Sequence, residues 1–264
     1  FDFESRNGIP LIELSISEDI ENDKIFKELI VRIIEDQSNV KSEVEAFDAF
    51  LNTLNSFDSF FKNQRKGLSK PAQQGLYAEL FLLKNHIIPN SDIISYSINN
   101  WRGPERAHQD FRFDKGNIEV KSTMQKDPIN ISISNEKQLD PRPLESIQNK
   151  LLLYVLCLDE VSPQENTLPS IVKEIYIMLD EHNSADRNAF TNRLNAAGYY
   201  EMHEDYYKDI GYYIRKELLY EIKKDIYFPS IIDLPLGVGD IKYTIDLSAC
   251  APSKIDLAKI KDVL

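Results

Sequence analysis

Asp110-Phe111-Arg112-Phe113-Asp114-Lys115-Gly116-Asn117-Ile118-Glu119-Val120-Lys121 reads as a β-hairpin, two runs of alternating apolar and polar residues around a glycine-containing turn. With Lys115-Gly116 taken as the two-residue loop, Phe113 faces Ile118 and Phe111 faces Val120, which gives one apolar side for a core. The other side carries Asp110 across from Lys121, with Glu119 opposite Arg112 and diagonal to Asp110. Two carboxylates and an ammonium therefore converge on the polar face. A slip of one residue would turn the acids onto the apolar side, so the hydrophobic pattern itself sets this convergence.

Upstream, a helix is predicted from near Pro71 to about His86, with the proline at its start. Glu79 lies at i+3 from Leu76 and i−4 from Leu83, which puts its carboxylate on the apolar face of that helix. A lone carboxylate there is costly unless it is paired, protonated or bound to a metal. Asp110, Glu119 and Glu79 are hard oxygen ligands of the kind Mg²⁺ or Mn²⁺ prefers. Lys121 beside them would orient a water or offset charge building on phosphate oxygens.

The rest of the chain supplies a scaffold. Period-two patterns at Ile94-Tyr96-Ile98, Phe111-Phe113, Ile118-Val120 and Ile129-Ile131-Ile133 predict strands, and the unbroken run Leu151-Leu152-Leu153-Tyr154-Val155-Leu156-Cys157-Leu158 predicts a central strand covered on both faces. Helices are predicted at about 168–183 and 185–197, and further strands at 212–222 and 241–247. Residues 11–16 read as a short strand before two amphipathic helices, the second striped by Val44, Phe47, Leu51, Leu54, Phe57 and Phe61. The expectation is a mixed α/β fold, with an N-terminal strand and helical cap over 1–69 and a catalytic domain over 70–264, forming one compact unit.

At 264 residues and 42 % hydrophobic composition the chain builds a real core, which excludes a disordered protein. The longest apolar run falls well short of the roughly 20 residues of a membrane span. No basic stretch or apolar region of signal-peptide type follows Phe1. The two cysteines, Cys157 and Cys250, suit reduced core positions, so a cytoplasmic protein is expected. The net charge of −12 conceals a segregation: residues 59–158 hold 14 Lys and Arg against 10 Asp and Glu, whereas 1–58 hold 5 against 14 and 159–210 hold 4 against 11. A basic middle third between acidic flanks is what a localised polyanion site requires, although solvated helices scatter charge too. Neither GxSxG nor GxxxxGK[ST] occurs, which leaves serine-hydrolase and P-loop chemistry unsupported.

Glu79 on a helix, then Asp110, then Glu119-Val120-Lys121 on a strand resembles the PD-(D/E)XK superfamily of restriction-endonuclease-like nucleases. Gly75-Leu76-Tyr77-Ala78-Glu79-Leu80, Trp101-Arg102-Gly103-Pro104, His108-Gln109-Asp110-Phe111 and Ile118-Glu119-Val120-Lys121-Ser122-Thr123 look like a bacterial family named only for that motif and found near phage-defence genes. The likeness extends to Phe228-Pro229 and Tyr243-Thr244-Ile245-Asp246-Leu247-Ser248, so it covers about residues 70–250. It implies an αβββαβ core and an Mg²⁺- or Mn²⁺-dependent DNA endonuclease leaving a 5′-phosphate and a 3′-hydroxyl. Asp110, Glu119 and the backbone carbonyl of Val120 would hold the metal, Lys121 would position the attacking water, and Glu79 would support the site. Gln109 stands where the motif's name has proline, a residue that carries no chemistry.

Lys62, Arg65, Lys66, Lys70, Arg102, Arg106 and Arg112 are candidate phosphate contacts, with His108 and Thr123 as weaker ones. DNA is the expected partner, possible others being defence-system proteins or a second copy of the chain, and no membrane. The competing readings are a catalytically silent nuclease-fold module that binds DNA or a partner protein, and a structural sheet in which Asp110 and Lys121 form an ordinary cross-strand ion pair.

Overall fold

The apolar run at 151–158 lies in the middle of a five-stranded sheet and is buried on both faces, as a strand without a polar side must be. The computed structural model describes residues 2–6, 9–13, 20–37, 40, 42–63, 67–105, 107–145, 149–162, 166–180, 184–223, 234–235 and 237–264. Two compact units arise, Phe1–Arg65 and Lys66–Leu264.

The first unit holds an antiparallel hairpin of β1 (Asp2–Arg6) and β2 (Ile9–Glu13), then α1 (Ile20–Gln37) and α2 (Glu43–Asn63). The strand expected at 11–16 coincides with the second arm of this hairpin over residues 11–13, and residues 14–16 lie outside the described residues. The Thr53 hydroxyl of α2 donates to Asp36 of α1 at 2.6 Å and ties the two helices.

In the second unit the chain forms α3 (Lys70–Leu82), α4 (Ile94–Asn99), β3 (Phe111–Phe113), β4 (Gly116–Thr123), β5 (Asn130–Ile133), α5 (Arg142–Glu145) and β6 (Lys150–Val161). It continues as α6 (Leu168–Asp180), α7 (Ser184–Ala196), α8 (Glu204–Tyr207), β7 (Gly211–Ile222), β8 (Tyr243–Asp246) and β9 (Lys254–Ile255). The main sheet has the order β3-β4-β6-β7-β9, parallel between β4 and β6 and antiparallel elsewhere, while β5 pairs with β8 in a separate two-stranded sheet. Within this order α3, β3, β4, β6, α6 and β7 give the sequence αβββαβ, with α4, β5, α5, α7 and α8 inserted along it and β8 and β9 following.

The two faces of β6 separate two cores. Leu152, Tyr154, Leu156 and Leu158 join Leu76, Leu80 and Ile175 on the helical side, whereas Leu151, Leu153, Val155 and Cys157 join Ile131, Ile133, Tyr220 and Ile245 on the side of the small sheet. Ile118 and Val120 belong to the helical side. Side chains alternate along a strand, so Asn117, Glu119 and Lys121 face the small sheet. Cys157 and Cys250 are buried and unbonded to each other. Among the described residues no helix is long and apolar enough to cross a membrane.

The structure corrects two local expectations. Residues 94–99 are helical, because Ile94 and Ile98 satisfy an i,i+4 spacing as well as an alternating one over so short a span. The hairpin loop also lies one residue earlier than expected: Phe111 pairs with Ile118, Arg112 with Asn117 and Phe113 with Gly116, which makes Asp114 and Lys115 the loop. The register shifts by two residues, so both faces keep their composition, but Asp110 falls level with Glu119 and not with Lys121, and Arg112 moves away from Glu119. Gly116 is needed within the strand, since a Cβ there would lie 2.5 Å from the Lys150 carbonyl oxygen and 2.9 Å from Val263 Cγ1. Gly116→Ala is therefore expected to destabilise the fold by about 1–3 kcal/mol, the cost of overpacking against backbone, read as a lowered denaturation midpoint. An unchanged midpoint would show that the β4–β6 edge can spread.

Candidate active site

Asp110 sits where β3 leaves β4. Its backbone carbonyl accepts from Arg102 N at 2.7 Å and Gly103 N at 3.0 Å, and its Oδ2 accepts from Val120 N at 2.8 Å. The carboxylate thus takes over the β4 hydrogen bond that β3 no longer supplies. An extended residue projects its N–H and C=O from the same strand edge, so the Val120 carbonyl opens toward the same space.

Glu119, next along β4, is 1 % exposed. Its Oε1 lies 2.6 Å from Lys121 Nζ in a close ion pair, and its Oε2 receives no hydrogen bond from any described residue. Lys121 Nζ donates to Gln138 Oε1 at 3.1 Å. Glu79 projects from α3 on the side of buried Leu76 and Leu80, and its Oε2 accepts from the Trp101 indole at 2.6 Å. The helix is started by Ser69, whose hydroxyl accepts from Ala72 N at 3.4 Å, with Pro71 in its first turn.

Burial raises the proton affinity of all three carboxyls. Glu119 is pushed well above the usual range by burial, then by Asp110, against the opposing pull of Lys121. Glu79 is pushed well above it by burial and then Asp110, with the Trp101 indole and Lys121 acting the other way. Asp110 is raised by burial, offset by Lys121 and the Val120 N–H. Three interacting carboxyls, Glu119 buried and Glu79 and Asp110 half-buried, share one ammonium and leave an excess of negative charge that protons or a cation would relieve.

The three carboxylates are neighbours without being drawn to one point. Among the described residues no group of three or more His, Cys, Asp or Glu side chains stands at metal-binding geometry. The expected set of Glu79, Asp110 and Glu119 is therefore not assembled as three direct ligands. Trp101 holds Glu79, and Lys121 faces Glu119. The donor set still fits a hard divalent ion, since Mg²⁺ is held by one or two carboxylates with water completing its shell, and the Oε2 of buried Glu119 has no donor among the described residues. Asp110, Glu119 and the Val120 carbonyl would hold it, with Glu79 at one remove.

The outlying candidates separate. Thr123 is not available to phosphate: it is buried, its hydroxyl donates to Asn130 O at 3.3 Å and accepts from Gln125 N at 3.2 Å. Lys70 pairs with Glu160 at 3.2 Å and Arg102 with Glu105 at 2.8 Å. Arg112 and His108 are exposed. Arg65, Lys66 and Arg106 lie outside the described residues, as does the side chain of Lys62. Of the adjacent tyrosines Tyr199-Tyr200, Tyr206-Tyr207 and Tyr212-Tyr213, Tyr199, Tyr200, Tyr207 and Tyr212 are buried and structural, and the Tyr207 hydroxyl accepts from Leu68 N at 2.9 Å.

Sequence reasoning missed the Trp101 bond to Glu79. A buried indole N–H needs an acceptor, and a carboxylate expected on an apolar helix face needs a donor, so the pair was foreseeable from those two requirements. It also missed Arg193 on α7, whose guanidinium donates to the Trp101 carbonyl, to Asn99 O at 2.9 Å and to Glu105 at 2.9 Å, fixing the segment that carries Trp101. Gly103 completes this contact. A Cβ there would come well under 3.0 Å from Glu79 Oε2 and 3.1 Å from Asp110 Oδ1, so both oxygens border one small space. Gly103→Ala is expected to cost about 1–3 kcal/mol, because the added methyl pushes Glu79 off the indole and leaves a sheltered donor and acceptor unpaired. Fluorescence of Trp101, the chain's one tryptophan, should shift. An unaltered spectrum would show that Glu79 stays in place.

A mixed sheet that carries an Asp and a Glu-X-Lys strand at one edge, with a helix glutamate beside them, defines a restriction-endonuclease-like fold. The chain belongs to the DUF4420 family, whose model, described as "Putative PD-(D/E)XK family member", matches residues 4–248. The match takes in most of the N-terminal unit, beyond the 70–250 stretch in which the resemblance was first legible. Neither the curated proteins nor the solved structures hold a significant match.

Proposed function

We propose that this protein is a divalent-metal-dependent endonuclease that hydrolyses DNA phosphodiester bonds. The observation that carries the reading is Glu119, a carboxylate 1 % exposed that shares the single Lys121 ammonium, 2.6 Å from its Oε1, with Asp110 and Glu79 nearby. Such a group is costly in a structural sheet and useful in a site that takes a cation. A bound divalent ion would supply Lewis-acid polarisation of the phosphate and neutralise charge in the transition state. Lys121 holds a water with the donor capacity left by Gln138 and Glu119. Oxygen of that water bonds to phosphorus as the bond to the 3′ oxygen breaks, its proton passing to solvent, which leaves a 5′-phosphate, while the departing 3′ oxygen takes a proton from solvent water. Glu79, kept in place by Trp101, adds negative charge that favours the cation.

Arg112 and His108, exposed near Asp110 in the chain, are the described candidates for backbone contact. The resemblance to a family found near phage-defence genes supports a place in bacterial restriction or defence. The second reading, a silent module, is favoured by the carboxylates' existing engagement with Trp101, Val120 N and Lys121. Supercoiled plasmid incubated with purified protein and Mg²⁺, Mn²⁺ or EDTA decides between them. Nicking with metal and none with EDTA supports the nuclease. Absence of nicking with Mn²⁺ still raising the melting temperature would point to a missing partner or a modified substrate, whereas no nicking and no response to metal would favour the silent module.

A further inference from the structure

We infer that Gln138 is a positioning residue for Lys121, and that Gln109, the residue in the motif's proline place, holds Gln138 in position. The inference rests on the nuclease reading above. After β5 the chain turns through residues 134–139 and comes over the polar face of β4. There Gln138 Oε1 accepts from two donors, Lys121 Nζ at 3.1 Å and Ser134 N at 2.8 Å, so the turn's own backbone orients the carbonyl that meets the ammonium.

The same turn is tied from below. Gln109 Nε2 donates to Lys137 O at 2.8 Å and Gln138 O at 3.3 Å, while its Oε1 accepts from Asn117 Nδ2 at 3.1 Å. Gln109 and Asn117 are each 5 % exposed, so these bonds are sheltered from water. A closed circuit results, running from Gln109 to the turn, to Gln138, to Lys121, along β4 to Asn117 and back. It brackets both catalytic carboxylates of the hairpin, since Gln109 precedes Asp110 and Asn117 lies two before Glu119. Proline at 109 has no amide to make these bonds.

The chemistry of the acceptor matters. An ammonium has three donors and a flexible stem. Glu119 engages it by charge, and without a second partner it would swing within the field of three carboxylates. An amide carbonyl fixes its direction without adding a fourth negative charge. The remaining donor is then turned toward water, and misplacement by about 1 Å is enough to cost on the order of a hundredfold in rate.

The test uses Gln138→Met and Gln109→Met, which keep length and remove the amide, and the double variant. Two readouts are taken on the full chain: nicking kinetics with Mg²⁺, and the rate of Lys121 acetylation by acetic anhydride, measured by peptide mass spectrometry against exposed Lys115. In each single variant kcat should fall about 10- to 100-fold with KM for DNA unchanged, the range seen when a ligand's supporting partner is lost. Lys121 labelling should rise at least about threefold, since tethering no longer competes with reagent. The double variant should be no worse than Gln138→Met, because one residue acts through the other. Wild-type labelling and kcat in Gln138→Met would overturn the inference, as would multiplicative losses in the double variant. If Gln109→Met fails to fold, Gln138→Met alone decides. Should the wild-type chain nick no DNA while labelling still rises, the Lys121–Gln138 tie is upheld and the nuclease reading fails.

Discussion

Asp110→Asn and Lys121→Met are each expected to lower metal-dependent nicking of supercoiled plasmid by about a hundred- to a thousandfold, the scale of losing one preorganised charge at a reacting phosphate. The substitutions are chosen for shape. Asn at 110 still accepts from Val120 N, the bond Oδ2 makes at 2.8 Å, and its backbone carbonyl still receives Arg102 and Gly103. Only charge is removed, so the edge of β4 stays capped. Met at 121 keeps the stem that reaches Gln138 and removes the ammonium. The two losses should differ in their response to metal: excess Mn²⁺ partly restores Asp110→Asn, whose defect is in holding the cation, and leaves Lys121→Met inactive. Nicking at the wild-type rate in either variant would remove that residue from the chemistry and return the pair to an ordinary edge contact.

The sequence was most informative where one pattern admitted one reading. The all-apolar run had to be a central strand, and the parity of the 110–121 hairpin placed Glu119 and Lys121 on its polar face whatever the loop. The loop itself was misread because glycine marks turns and close contacts alike. Gly116 is there for the approach of Lys150 O and not for the turn, and nothing local distinguishes the two uses. The 94–99 helix was ambiguous for a similar reason, six residues being too few to separate period two from i,i+4. Within the site, Glu79, Asp110, Glu119 and Lys121 were legible because a carboxylate on an apolar face demands an explanation. Gln138 and Gln109 were not, since amides that bond backbone in a distant turn leave no periodic trace. Thr123 shows the converse, a residue on the right face whose hydroxyl is already engaged with β5.

Glu119→Gln should raise the thermal stability of the metal-free protein as pH rises, although it abolishes activity. A carboxyl whose proton affinity is raised by folding contributes stability that is fully present below the ordinary carboxylate range, about pH 4, and is lost as pH climbs through the raised folded value. Glu119 is such a group, through burial and the charge of Asp110. Near neutral pH the wild-type chain therefore bears the cost of a buried anion, whereas glutamine is neutral throughout. Carboxyls held low act in the opposite sense, among them Glu217 beside His86 and Tyr154, and Asp140 beside Arg142. They are common to both proteins and cancel in the difference. The melting temperature of Glu119→Gln minus that of wild type in EDTA should thus grow between about pH 4.5 and pH 8, by roughly 2–4 °C for each kcal/mol in a unit of this size. Added Mn²⁺ should raise wild type and leave the variant nearly unmoved, closing or reversing the gap, because a cation that binds only the folded state stabilises it. A difference that is flat with pH would mean that Glu119 keeps its charge at little cost, and with it would go the argument that this carboxylate awaits a cation.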